Sequence, residues 1–172
     1  MNAYEQIAIG DIHVFGSHTF TADEMKRFAA KYDPQYFHLD EVAARDSYLG
    51  GLCASGWHTA SVMMGLLVRY FDAREAKARA AGEPVLVSGP SPGFDDLRWP
   101  NPVFPGDVVT FTARIVGKRI SKSRPGWGLL SMTTTGVKQT EEIVFVVTTH
   151  VFVETGEPVA REGQSIPGQA ES

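Results

Sequence analysis

Cysteine is almost missing from this chain. Cys53 is the only one in 172 residues, which excludes an intrachain disulfide framework and a Cys-rich zinc site and suits a reducing compartment. Long apolar runs are missing too: no stretch approaches 18 apolar residues, and the opening MNAYEQIAIGDIHVF lacks a basic segment followed by an apolar one. Neither a membrane span nor a signal peptide is expected, and the chain reads as cytoplasmic. Positive charge is not in excess. The 16 Lys and Arg stand against 20 Asp and Glu, for a formal net charge of −4, so no global attraction to nucleic acid exists.

What is present is an ordinary globular composition, 43% apolar with 10 Phe, 5 Tyr and 3 Trp, at a length that suits one domain. We expect that domain over residues 1–156, followed by a polar, turn-rich tail at 157–172 that is partly disordered. The first half has helical periodicity and the second half the periodicity of strands, which argues for an α+β fold. In TADEMKRFAAKY, Thr21 or Asp23 caps a helix that stops at Asp33-Pro34, because the residue before a proline is pushed out of the α region. A short helix is expected from Asp40 to about Arg45.

From Ser55 to Phe71 apolar side chains point in nearly every direction around a helix, so this helix is expected to be buried on all sides. Asp72 to Ala81 reads as its solvated continuation, ending at Gly82. The Gly- and Pro-rich GEPVLVSGPSPG reads as a loop with a short strand at Val85 to Val87. Three strands follow, Val108 to Val116, Leu129 to Lys138 and Ile143 to Val153, joined by turns at Arg124-Pro125-Gly126 and Gln139 to Glu142. In the first, Val109, Phe111, Ala113 and Ile115 alternate with Thr110, Thr112 and Arg114, the period of a sheet with one buried face. A long apolar helix and an antiparallel meander have a simple joint solution, a single hotdog fold in which the sheet wraps the helix.

Chemistry concentrates in two stretches. YDPQYFHLD places Asp33, His38 and Asp40 close together in a segment between two helices, where an imidazole can exchange protons near neutrality and a carboxylate can orient it or a water. The same residues also read as a turn cap and an ordinary histidine. No second histidine or cysteine stands at ligand spacing, so no metal is expected. In YLGGLCASGWHTASVMMGLL, Ala54, Ser55 and Gly56 occupy a helix start, where free N–H groups can hold an oxyanion; on the residues alone, tight turns and close packing are the favoured explanation of the glycines.

Together with LRWPNPVFPGDVVTFTARIVGKRISKSRPGWG, these stretches resemble the MaoC-like acyl dehydratase family, which includes R-specific enoyl-CoA hydratases, over roughly residues 8 to 153. The resemblance implies a hydro-lyase of acyl-chain metabolism that adds water reversibly to a 2-enoyl thioester, giving the R-3-hydroxyacyl product. It implies that Asp33 and His38 hold the water, with His38 as base, and that the Gly56 N–H receives the thioester oxygen. No cofactor is implied: coenzyme A or acyl carrier protein belongs to the substrate. Two copies are expected to form at least a homodimer. The chain departs from the family in having Pro34, Gln35, Tyr36 and Phe37 where many members have an Asn-Pro pair, and Ser55 where many have histidine. Tyr36 and Trp57 would narrow the acyl pocket. A thioesterase of the same fold is the nearest alternative, although Ser55 to Phe71 holds no acidic residue, and a non-catalytic acyl-thioester-binding subunit is a second. His58 reads as a packing histidine, and no chemistry is assigned to His13, His18 or His150. The basic cluster Lys118, Arg119, Lys122 and Arg124 reads as a solvated edge that could also meet coenzyme A phosphates.

Overall fold

A computed structural model describes residues 2–156; the tail expected at 157–172 lies outside the described residues. Two short pieces, α1 (Ala3–Gln6) and β1 (Ile12–Thr19), lead into α2 (Ala22–Tyr32). Thr21 caps α2 through a reciprocal pair with Glu24, so the chain uses the first of the two expected caps. After Asp33-Pro34 come α3 (Tyr36–Leu39) and α4 (Glu41–Arg45), the latter capped by the Asp40 carboxylate on the N–H groups of Val42 and Ala43. The long helix α5 (Gly56–Ala81) starts at its Ser55 cap and ends on Gly82, whose φ of 68° is the left-handed conformation that glycine adopts without strain. Four strands complete the described residues: β2 (Gly93–Arg98), β3 (Val108–Ile120), β4 (Trp127–Lys138) and β5 (Ile143–Glu154).

All pairings are antiparallel, in the order β1-β3-β4-β5-β2. Alternation in β3 buries Val109, Phe111, Ala113 and Ile115 on one face, where Phe145 and Val147 of β5 join them against Met63 of α5. The register shifts in all four pairings, including Val14/Gly16 and Ile115/Gly117. Such bulges sharpen twist, and the curved sheet reaches α5 from β1 on one side and β5 on the other. This is the α+β hotdog architecture. The opposite face is hydroxyl-rich, with Ser17 bonded to Thr110 and Thr133 to Thr148.

Two expectations need correction, and one strand carries no sequence signal. Val85 to Val87 form no strand; they belong to an irregular strap whose carbonyls at Val87 and Pro90 accept from Glu154 and Phe152 of β5. The segment that follows supplies β2 instead, whose six residues GFDDLR have mostly exposed side chains and so no apolar alternation to read. Finally, α5 is not buried all round. His58, Thr59 and Met63 face inward, but Trp57, Met64 and Val68 are 53%, 47% and 46% exposed. One sheet covers only one side of a helix.

Candidate active site

Leu52, Cys53 and Ala54 are all buried and held from both sides. The Cys53 N–H donates to the Phe37 carbonyl at 3.3 Å, and the Ala54 N–H to the Val103 carbonyl at 2.8 Å. This extended link fixes the start of α5 against α3. The turn of α3 in turn carries His38 inward, where it is buried.

His38 Nδ1 lies 2.8 Å from the Cys53 carbonyl oxygen. A carbonyl can only accept, so Nδ1 carries the hydrogen, and in the neutral ring Nε2 is left with a free lone pair. That lone pair faces Asp33, whose Oδ2 is 3.4 Å from Nε2. The separation is long for a direct hydrogen bond, and both atoms are acceptors that one water can serve.

Asp33 is the C-cap of α2, with its own N–H on the Ala29 carbonyl. The Ser55 hydroxyl donates to Oδ2 at 2.7 Å and the Gln35 amide to Oδ1 at 2.8 Å. Partial burial pushes the carboxyl upward, but the Ser55 and Gln35 hydrogen bonds and the neighbouring imidazole outweigh it, and Asp33 stays below the ordinary aspartate range. Beneath the ring, burial first and the Asp33 charge second push the Cys53 thiol up to about 11, so it is a poor nucleophile and a packing residue.

Ser55 also accepts from the Trp57 N–H, and its carbonyl accepts from the N–H groups of His58 and Thr59. The Gly56 N–H, at the first position of α5, is therefore the donor left over at this helix start. Its surroundings explain the glycine: a Cβ there would lie 2.6 Å from the Trp99 indole, which is packed edge-to-face with Trp57. Trp99 thus floors the helix start.

The structure brings Asp33, His38, Ser55 and Gly56 together. Trp57 sits at the rim, and Tyr36, also exposed, is in ring contact with Phe37, which packs on His38. Ala54 is not among the donors, because its N–H is taken by Val103 and its side chain is buried. Sequence reasoning missed Gln35 as a partner of Asp33, and it missed the Cys53 carbonyl, a backbone atom with no sequence signal.

Other residues resolve more simply. His58 is buried and stacked on Phe28, and burial lowers its pKa. Two members of the expected basic cluster are engaged within the fold: Lys118 lies over the Tyr4 ring and donates to the Glu5 and Ile7 carbonyls, while Arg124 lies over Phe152. Among the described residues, no three His, Cys, Asp or Glu side chains converge as a metal site, and no helix is long and apolar enough to cross a membrane.

Residues 8–137 match the model of the MaoC like domain family. The chain is 31% identical over 131 residues to Protein MaoC of Klebsiella aerogenes, covering 72% of this chain and 35% of that longer protein. A MaoC-like dehydratase from Rhodospirillum rubrum is 35% identical, with a TM-score of 0.72 over 87% of this chain and 94% of that one. An (R)-hydratase from A. caviae involved in PHA biosynthesis has the same fold, with 23% identity and a TM-score of 0.58 over 87% of this chain and 98% of the other.

Proposed function

Because the chain belongs to the MaoC-like dehydratase family, we propose that it adds water reversibly to a 2-enoyl thioester carried on coenzyme A or acyl carrier protein, giving a 3-hydroxyacyl thioester. The observation that carries this reading is the His38 tautomer. With Nδ1–H held on the Cys53 carbonyl, Nε2 and Asp33 Oδ2 stand side by side as acceptors. A water that donates one hydrogen to each has its lone pair free for C3 of the substrate.

His38 takes one proton as the C3–O bond forms, while Asp33, kept ionised by Ser55 and Gln35, fixes the water. Electron density moves through C2 to the thioester oxygen, which gains negative charge and is met by the Gly56 N–H at the positive end of α5. The imidazolium then returns its proton to C2, so the hydroxyl and hydrogen of one water end on C3 and C2. A positioned acid–base group contributes about 10²–10⁴-fold and one oxyanion donor about 10²–10³-fold. Dehydration is the same path reversed.

The test follows crotonyl-CoA with purified protein, recording loss of the conjugated absorbance and release of free thiol in parallel. We expect absorbance to fall without thiol, and Asp33→Asn and His38→Ala each to lose about 10²-fold or more. Thiol release would make the protein a thioesterase. No change with short, long or branched enoyl thioesters would leave the binding-subunit reading standing and sink this one.

We also propose that two copies pair, with the exposed Trp57, Met64 and Val68 stripe of α5 buried near the join. Light scattering should give at least twice the 18.8 kDa chain mass, and a charge placed by Met64→Glu should lower it. A monomer at all concentrations would overturn the pairing.

A further inference from the structure

On the outer face of the sheet, one cross-strand row runs Gly117, Ser131, His150, Gly93, through β3, β4, β5 and β2. The two outer members have no side chain, so the two inner ones are open from both sides. A Cβ at Gly93 would meet nothing within 4 Å. The gap is part of a depression of about 370 Å³ lined by Asp95, Arg119, Leu129, Ser131 and His150 among others, within the size range of small-molecule sites.

The three polar groups in it form a directed chain. His150 Nε2 lies 2.9 Å from Asp95 Oδ2, and His150 Nδ1 lies 2.8 Å from the Ser131 hydroxyl. An ionised carboxylate only accepts, so Nε2 carries the ring hydrogen and Nδ1 is the acceptor for the serine proton. A hydroxyl nucleophile, a base within hydrogen-bond reach and a third group that orients the base are the parts of an activated serine. None of these residues touches the Asp33 and His38 site. The two sites share no side chain, and the Asp33 chemistry explains nothing about why this row is built so.

We propose that Ser131 is the nucleophile of a second centre, one that accepts acyl groups from short activated esters. Ser131 Oγ bonds to the acyl carbon as its proton passes to His150 Nδ1. The ester C–O bond breaks, and the leaving alkoxide takes that proton or departs as a stable anion. Water then cleaves the acyl-serine to the carboxylic acid and restores the hydroxyl. Arg119, a cation on the same lining, supplies positive charge for the oxyanion. Asp95 is on the open edge strand, where water competes for its carboxylate, so it orients the ring more weakly than a buried partner does.

The experiment uses 4-nitrophenyl acetate with the full chain. Nitrophenolate release, either steady or as one burst, is expected with an acetyl group on the peptide that holds Ser131. Ser131→Ala and His150→Gln should each lower release by about 10²-fold, Asp95→Asn by less, and Asp33→Asn not at all. Ser131→Ala removes one hydroxyl from an outer face, and an unchanged thermal unfolding curve keeps its result interpretable if His150→Gln misfolds. Release that persists in Ser131→Ala, an acetyl group on another residue, or no release above buffer would each overturn the proposal. This reading and the hydratase reading fail separately, because crotonyl-CoA hydration does not need Ser131 and ester cleavage does not need Asp33.

Discussion

His38 and His150 each belong to a chain of contacts that includes a carboxylate and a serine, yet the two chains are wired oppositely. At the first site the serine hydroxyl donates to the carboxylate, and the ring's other nitrogen is fixed by a backbone carbonyl. At the second the serine donates to the ring itself, and the carboxylate fixes the other nitrogen. The first arrangement leaves a free nitrogen lone pair for water; the second aims that lone pair at a hydroxyl. Burial differs as well: the His38 and Asp33 side chains are 6% and 18% exposed, against 23% and 72% for His150 and Asp95. In the two proposed centres the same three residue types would thus prepare either a water or a serine, and which one depends on where the serine hydrogen points.

The inner site alone stands at the start of a long helix, so the sharpest way to separate the two is Gly56→Ala. The added methyl would meet the Trp99 indole at 2.6 Å and move the N–H, and hydration should fall by about 10²-fold with ester cleavage unchanged. Replacing Trp99 by Leu in the same protein should recover part of the loss, because it reopens the space. Full activity in Gly56→Ala would remove the N–H from the mechanism.

Ser55→Ala is expected to have a smaller effect of a different kind. It removes both a donor to Asp33 and the cap of α5, the latter costing about 1 kcal/mol of stability. Asp33 has a folded pKa below its unfolded one, so its ionisation stabilises the fold above the ordinary carboxylate range, and that gain disappears as pH falls through the lowered value. Without Ser55 the folded pKa rises. The Asp33 carboxyl titration, followed by NMR, should therefore move to higher pH; an unmoved titration would show that Ser55 does not tune Asp33.

The smallest effect concerns burial itself. Cys53 lies under His38 with its thiol pushed up to about 11, so iodoacetamide should label it slowly in the folded protein at neutral pH and readily after unfolding. Fast labelling of the native chain would mean that the inner site opens far more than its contacts suggest.

How much of this was legible beforehand varies with how local each signal is. The Thr21 and Ser55 caps, the stop at Asp33-Pro34 and the Gly82 end were readable, because capping and proline sterics act within a few residues. The period-2 pattern of β3 was readable because one face is buried and the other wet. The strand β2 was not, since an edge strand with exposed side chains carries no alternation, and the apolar Val85 to Val87 drew attention to the wrong segment. Asp33 and His38 stand out by residue type, but nothing in the sequence signals that the Gln35 amide holds Asp33, and the partners of His150, Ser131 and Asp95, lie on other strands.

By itself, then, the sequence determined the helix ends, the three long strands, the absence of a disulfide framework and the short segment that holds Asp33 and His38, because each follows from spacing along one stretch of chain. Only the tertiary structure decided which nitrogen of His38 faces Asp33, and that Gly117, Ser131, His150 and Gly93 share one row. Those facts depend on register between strands and on single hydrogen bonds between segments 15 or more residues apart, as from Cys53 to His38. Local periodicity carries no record of either, since a pattern fixes the face a side chain occupies and leaves its partner across the fold unspecified.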